Sequence, residues 1–103
     1  MTMRLSSKMT TYRSENIAQR LAHIAERMEL LKAQRTVLLK QLPDLIKKRD
    51  WADVNASAQT WYHANVRVNV TRREMKKIEE EVLELEKDRV ALEQRLRRQN
   101  GVN

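Results

Sequence analysis

The chain has no cysteine. Disulfides, thiolate catalysis and cysteine-based zinc sites are therefore excluded. It has no phenylalanine, two tryptophans and two tyrosines, so there is little with which to fill a compact aromatic core. One glycine and one proline in 103 residues leave few means of making tight turns. No apolar run approaches the roughly 18 residues needed to cross a bilayer. The first residues, Met1 to Lys8, lack the apolar stretch of a secretory signal. They are basic and Ser/Thr-rich with no acid before Glu15, as transit peptides are, but they are short and show no clear amphipathic repeat. Asn55-Ala56-Ser57 and Asn69-Val70-Thr71 match the glycosylation pattern; without a secretion signal they are chance matches. These absences point to a cytoplasmic protein with no membrane contact.

What the chain does have is charged and apolar side chains, at 34% and 41% of residues. That balance, poor in Gly and Pro, is the composition of helical coiled coils. A seven-residue repeat runs through the second half: Val54, Trp61, Val68, Met75, Val82, Arg89 and Leu96. Such a repeat marks a helix lying against another helix. The alternate seam positions are Ser57, Ala64, Thr71, Ile78, Leu85 and Leu92, small up to Thr71 and large after it. Beside the start of this repeat a second stripe, Trp51, Asn55, Ala58 and Tyr62, widens the face, and a wide face covers more than one neighbour. The stretch Asn65 to Thr71 alternates like a strand, yet a lone strand has nothing to pair with, and the heptad passes through it in register.

The first half carries its own heptad at Ile17, Leu21, Ile24, Met28, Leu31, Leu38, Leu42 and Leu45, with Arg35 at the skipped position. Ser14 reads as an N-cap followed by Glu15. Pro43 lacks the N–H and crowds the preceding turn, so it predicts the end of this helix. The expected fold is all-α, an antiparallel helical hairpin or coiled coil. It has a basic N-terminal arm at 1–13, a helix at about 14–42, a short connecting helix at about 43–49 starting on Pro43, and a long helix at about 51–99 capped by Asp50. The hairpin domain spans 14–99, and Asn100-Gly101 stops the last helix ahead of a tail at 100–103.

Net charge is +7, and its placement is uneven. Arg67, Arg72, Arg73, Lys76 and Lys77 form a basic stretch; Glu79, Glu80, Glu81, Glu84, Glu86 and Asp88 form an acidic one. An antiparallel pairing sets Arg13, Arg20 and Arg27 on the flank of Glu74, Glu81 and Asp88, whereas a parallel homodimer of the long helix sets acid against acid. Two registers fit, one placing Leu21 near Ile78 and the other near Leu85. Both leave Leu92 and Leu96 beyond the end of the first helix. Unless the arm, with Leu5, Met9 and Tyr12, folds back over them as helix, a second chain or another protein covers them, and a second copy is the simplest. This predicts a homodimer forming a helical bundle.

The candidate protein-binding residues are therefore Trp51 and Tyr62 beside the turn, because Trp and Tyr are over-represented in binding hot spots, and the overhanging Leu92 and Leu96. Against this, Trp51 and Tyr62 also suit a structural role, capping the hairpin against Leu45 and Ile46. The alternative is a nucleic-acid-binding module using Lys47, Lys48, Arg49, Arg72, Arg73, Lys76 and Lys77, since phosphate binding needs clustered Lys and Arg. Its bland counterpart is a solvated charged surface. Arg35 and Arg89 at seam positions either set register or run their stems out to nearby acids. His23, with Glu26 three residues on, and His63 are too sparse for a zinc site, which wants three or four ligands. The glutamates from Glu79 to Glu86 spread around the helix instead of converging in a cleft. No enzyme activity, cofactor, metal or small-molecule substrate is expected. In size and helical-hairpin build the chain resembles the small accessory proteins that phages and mobile elements encode, inhibitors of host defence among them. That resemblance implies a protein-binding role of adaptor or inhibitor type.

Overall fold

The computed structural model of the chain describes the backbone of residues 2–101 and the side chains of residues 16–101. Two helices account for nearly all of it: α1, Thr2–Asn55, and α2, Ala58–Gln99. No strand occurs among the described residues, and the chain is an all-α helical hairpin. Asn65 to Thr71 is helical, as the heptad requires. The side chains of Leu5, Met9 and Tyr12 lie outside the described residues, as do Val102 and Asn103 of the tail.

Pro43 does not end α1; it lies inside it. The seam explains why. Leu38, Leu42 and Leu45 continue at steps of four and three into Arg49 and Ala52, all half-buried or buried. An interior proline costs about 3 kcal/mol, while burying an aliphatic side chain returns about 1.5–3 kcal/mol, so a few seam residues outweigh it. Pro43 itself is exposed, on the side where water replaces the missing donor. The connecting helix at 43–49 therefore does not exist as a separate element, and Asp50 is not an N-cap. Ser14 is likewise interior, because the helix takes in the stretch read as an arm.

The turn is Ala56-Ser57. The backbone N–H of Ala56 donates to the Ala52 carbonyl at 3.1 Å, and the N–H of Trp61 to the Ser57 carbonyl at 3.1 Å. Ser57 caps α2: its Oγ accepts from the Thr60 N–H at 3.3 Å and lies 3.1 Å from Thr60 Oγ1. A serine oxygen bonding the third N–H of a helix is the standard N-cap geometry. At the other end Gly101 adopts a φ of 70°, the left-handed conformation that closes helices. Its N–H bonds the Arg98 carbonyl at 3.2 Å.

The chain divides into two compact units. The turn unit is Leu30–Val82; the end unit joins Met1–Glu29 with Leu83–Asn103. In the turn unit, counting the seam outward from the turn sets Ala52 level with Trp61, Leu45 with Val68, Leu42 with Thr71 and Leu38 with Met75. Leu31, Ala52 and Val68 are 2%, 2% and 0% exposed. The register is tied by Arg35, whose Nε and Nη2 reach Glu79 Oε1 at 3.0 and 2.9 Å across the helix pair. Thr71 sits on the seam with its hydroxyl donating to the Arg67 carbonyl at 2.8 Å, so a buried polar group is satisfied within its own helix.

In the end unit the same count sets Ile17 level with Leu96, Leu21 with Leu92, Ile24 with Arg89 and Met28 with Leu85. Leu21 is thus level with Leu92, not with Ile78 or Leu85 as either expected register had it. The two helices run farther together because the turn lies at 56–57 and not near Pro43. Leu92 is 3% exposed and Leu96 half-buried, so the expected overhang is covered by the chain itself, and the reason it gave for a second chain is gone.

Candidate binding face at the turn end

One flank of the turn unit carries the chemistry that the sequence scattered. On α1, Lys48 stands one position beside the seam, with Lys47 next to it in the chain and Trp51 about one turn further on. On α2, Thr60, His63 and Arg67 occupy the matching flank. Together they line a groove whose floor is Ala52 and Ala64. The floor is low because both seam residues there are alanine. Trp51, 62% exposed, forms part of its wall. Three cations and no carboxylate face this groove.

A second hollow continues from it along the same flank, sharing Lys48 and Arg67. Its floor is Leu38, Leu45 and Thr71, and its α2 wall is Val66 and Val70. Both valines are exposed, at 37% and 43%. Here the charge changes: Asp44, Glu74 and Gln41 join the lining. The flank is therefore cationic beside the turn and mixed in sign farther out.

The structure sorts the residues singled out in the sequence. Trp51, Lys47 and Lys48 come together in the groove. Tyr62 does not join them: it is 60% exposed and lines neither hollow. Its ring stands edge-on to His63, with centroids 5.9 Å apart and planes at 70°. Arg49 lies half-buried on the seam, with Nε 3.3 Å from Asp50 Oδ1. Arg72, Arg73, Lys76 and Lys77 are exposed but line neither hollow. Leu92 is buried and Leu96 half-buried, which withdraws Leu92 from any surface. The sequence reading passed over His63, Val66 and Val70 as groove residues. Part of their signal was present, since His63 and Val70 stand to one side of the α2 seam while Val66 lies farther round, but it is readable only once α1 is known to pass Pro43 and supply Lys48 and Trp51 opposite.

Away from this flank Arg89 is satisfied along its own helix. Arg89 donates through Nε to Glu86 Oε2 at 3.2 Å and through Nη1 to Glu93 Oε1 at 2.8 Å, and a second contact joins Nη2 to Glu86. Hydrogen bonds donated to Glu86 and then to Glu93 hold the guanidinium charged, its pKa raised above the ordinary arginine value. This is the outcome expected of an arginine that runs its stem out from the seam. Among the described residues no group of three or more His, Asp or Glu is placed to hold a metal ion. No helix there is long and apolar enough to cross a membrane. No family model matches the chain, and no curated protein or solved structure matches it.

Proposed function

We propose that this chain is a non-enzymatic protein-binding hairpin of adaptor or inhibitor type that works through the flank at its turn end. The observation that carries this is Trp51, 62% exposed against a groove floored by two alanines. A large aromatic left in water next to a hollow is what binding hot spots look like before they are filled. Lys47, Lys48 and Arg67 around it favour an acidic partner surface and speed its approach. Coiled-coil hairpins supply rigidity, so such a face binds without first having to order itself.

A photo-crosslinking residue in place of Trp51 tests this in cells carrying the gene. Protein adducts that survive nuclease and are lost on Lys48→Glu are expected. The same crosslinker at Val90, an exposed residue of the end unit, is the control. Adducts that vanish with nuclease overturn the protein reading.

The second reading, a nucleic-acid-binding module, draws on the same three cations beside Trp51 and His63. Aromatic faces stack on bases while cations hold the phosphates. It would leave out Arg72, Arg73, Lys76 and Lys77, which lie away from the groove. Steep loss of oligonucleotide binding between low and moderate salt would mark it.

A further inference from the structure

The two hollows are one feature. They share Lys48 and Arg67, and together they run along α1 from Leu38 to Ala52. At 1.5 Å per residue that is about 21 Å, close to four turns of helix. Each wall carries an apolar side chain among its polar ones: Trp51 on α1, with Val66 and Val70 on α2. A groove of this length between paired helices has the shape that a third amphipathic helix fills.

Charge along the groove narrows the occupant. Beside the turn stand Lys47, Lys48 and Arg67 with no carboxylate; in the outer hollow Asp44 and Glu74 join Lys48 and Arg67, so the carboxylates lie on the side away from the turn. A single-stranded nucleic acid laid along the groove would bring phosphates up to both carboxylates. A helix can carry acids at one end and bases at the other. We propose, resting on the protein-binding reading above, that this groove takes an amphipathic α-helix of about four turns. Its apolar stripe packs on Trp51, Val66 and Val70. Its acidic end lies over Lys47, Lys48 and Arg67, and its basic end over Asp44 and Glu74. The direction of the bound helix is thereby fixed by charge, as flanking charges fix partner and direction in coiled coils.

A surface-displayed library of helical peptides of about 16 residues, randomised on one face, provides the probe. Selection against the full chain is expected to enrich helices with apolar residues at i, i+3 or i+4, and i+7, with acids gathered at one end and Lys or Arg at the other. Their affinity should fall at least tenfold on Val70→Asp and on the double change Lys48→Glu, Arg67→Glu. A peptide with its charged ends exchanged should bind the unaltered chain at least tenfold more weakly and regain part of that loss on the double variant, where only the end over Lys48 and Arg67 is reversed. Val90→Asp should leave binding within twofold, and helical content by circular dichroism should be the same for every variant. Failure to enrich any helix, or enriched helices indifferent to Val70→Asp and to the charge reversal, overturns the groove. If protein adducts at position 51 persist in that case, the protein-binding function stands and only its helix partner falls. A 16-nucleotide thymidine strand bound more tightly than every selected helix, and released by the same variants, overturns it in favour of nucleic acid.

Discussion

The two halves of the hairpin are built on the same heptad but finish it differently. In the end unit the seam of α2 is Leu85, Leu92 and Leu96, large residues level with Met28, Leu21 and Ile17 on α1. It closes on itself, and the misplaced Arg89 is paid off within its own helix by Glu86 and Glu93. In the turn unit the seam of α2 has the smaller Ala64, Val68 and Thr71 between Trp61 and Met75, and α1 contributes Ala52. The helices meet, but small side chains leave the flank hollow, with Trp51, Val66 and Val70 at its edge. One arginine there, Arg35, reaches across the pair to Glu79 instead of along it. The difference teaches that a coiled coil can divide its labour. Large seam residues hold the chain together, and small ones open a face to something else.

The sharpest way to break this comparison is to remove a large seam residue from the end unit. Leu92 is 3% exposed, so Leu92→Ala should cost about 2–4 kcal/mol, the transfer term plus the cavity. Urea denaturation would measure it. Leu83→Ala, at a residue 57% exposed, should lie within about 0.5 kcal/mol of the parent. If Leu92→Ala were equally mild, the helices would not be paired that far from the turn.

Pro43 gives the next effect and sharpens the turn unit. It stands inside α1, where proline is about 3 kcal/mol worse than alanine. Some of that is offset because proline also restricts the unfolded chain, by about 0.4–1 kcal/mol. Pro43→Ala should therefore stabilise the hairpin by about 2 kcal/mol. Amide exchange should slow at residues 40–45 most of all. No gain would mean that α1 is already broken there, as the sequence alone had suggested.

Proline was the residue that misled. The two heptads, the helical character of Asn65 to Thr71, the stop at Asn100-Gly101 and the antiparallel hairpin were all legible in the sequence, because each rests on local pattern. The turn was not. Pro43 announces a break, and Ala56-Ser57 announces almost nothing, since neither glycine nor proline marks it. What decides between them is tertiary: α1 keeps its seam through Leu45, Arg49 and Ala52 only because α2 is there to cover it. Moving the turn by about a dozen residues moved the register, buried Leu92 and carried Trp51 from α2 to α1. The candidate face was legible in its parts, Trp51, Lys47 and Lys48, but not in its assembly, which needs Arg67 and His63 from the other helix.

The smallest effect concerns how each half handles its seam arginine. A double-mutant cycle on Arg35 and Glu79, using Arg35→Ala and Glu79→Ala, isolates their coupling. Both side chains are partly exposed, at 41% and 52%, so solvent screens the pair and the coupling should be about 0.5 kcal/mol. It should shrink in 1 M salt, where charges farther apart than about 3 Å are screened. The matching cycle on Arg89 and Glu93 separates the halves in a different way. Arg35 and Glu79 sit on different helices and are bonded only while the two are paired, so their coupling should appear in the free energy of unfolding of the hairpin. Arg89 and Glu93 lie four residues apart on one helix, so their coupling should survive in the helicity of an isolated α2 peptide. An Arg35–Glu79 coupling of zero in the hairpin would remove the ion pair as the tie that fixes register. The matching of Leu38, Leu45, Val68 and Met75 along the seam would then have to set it alone.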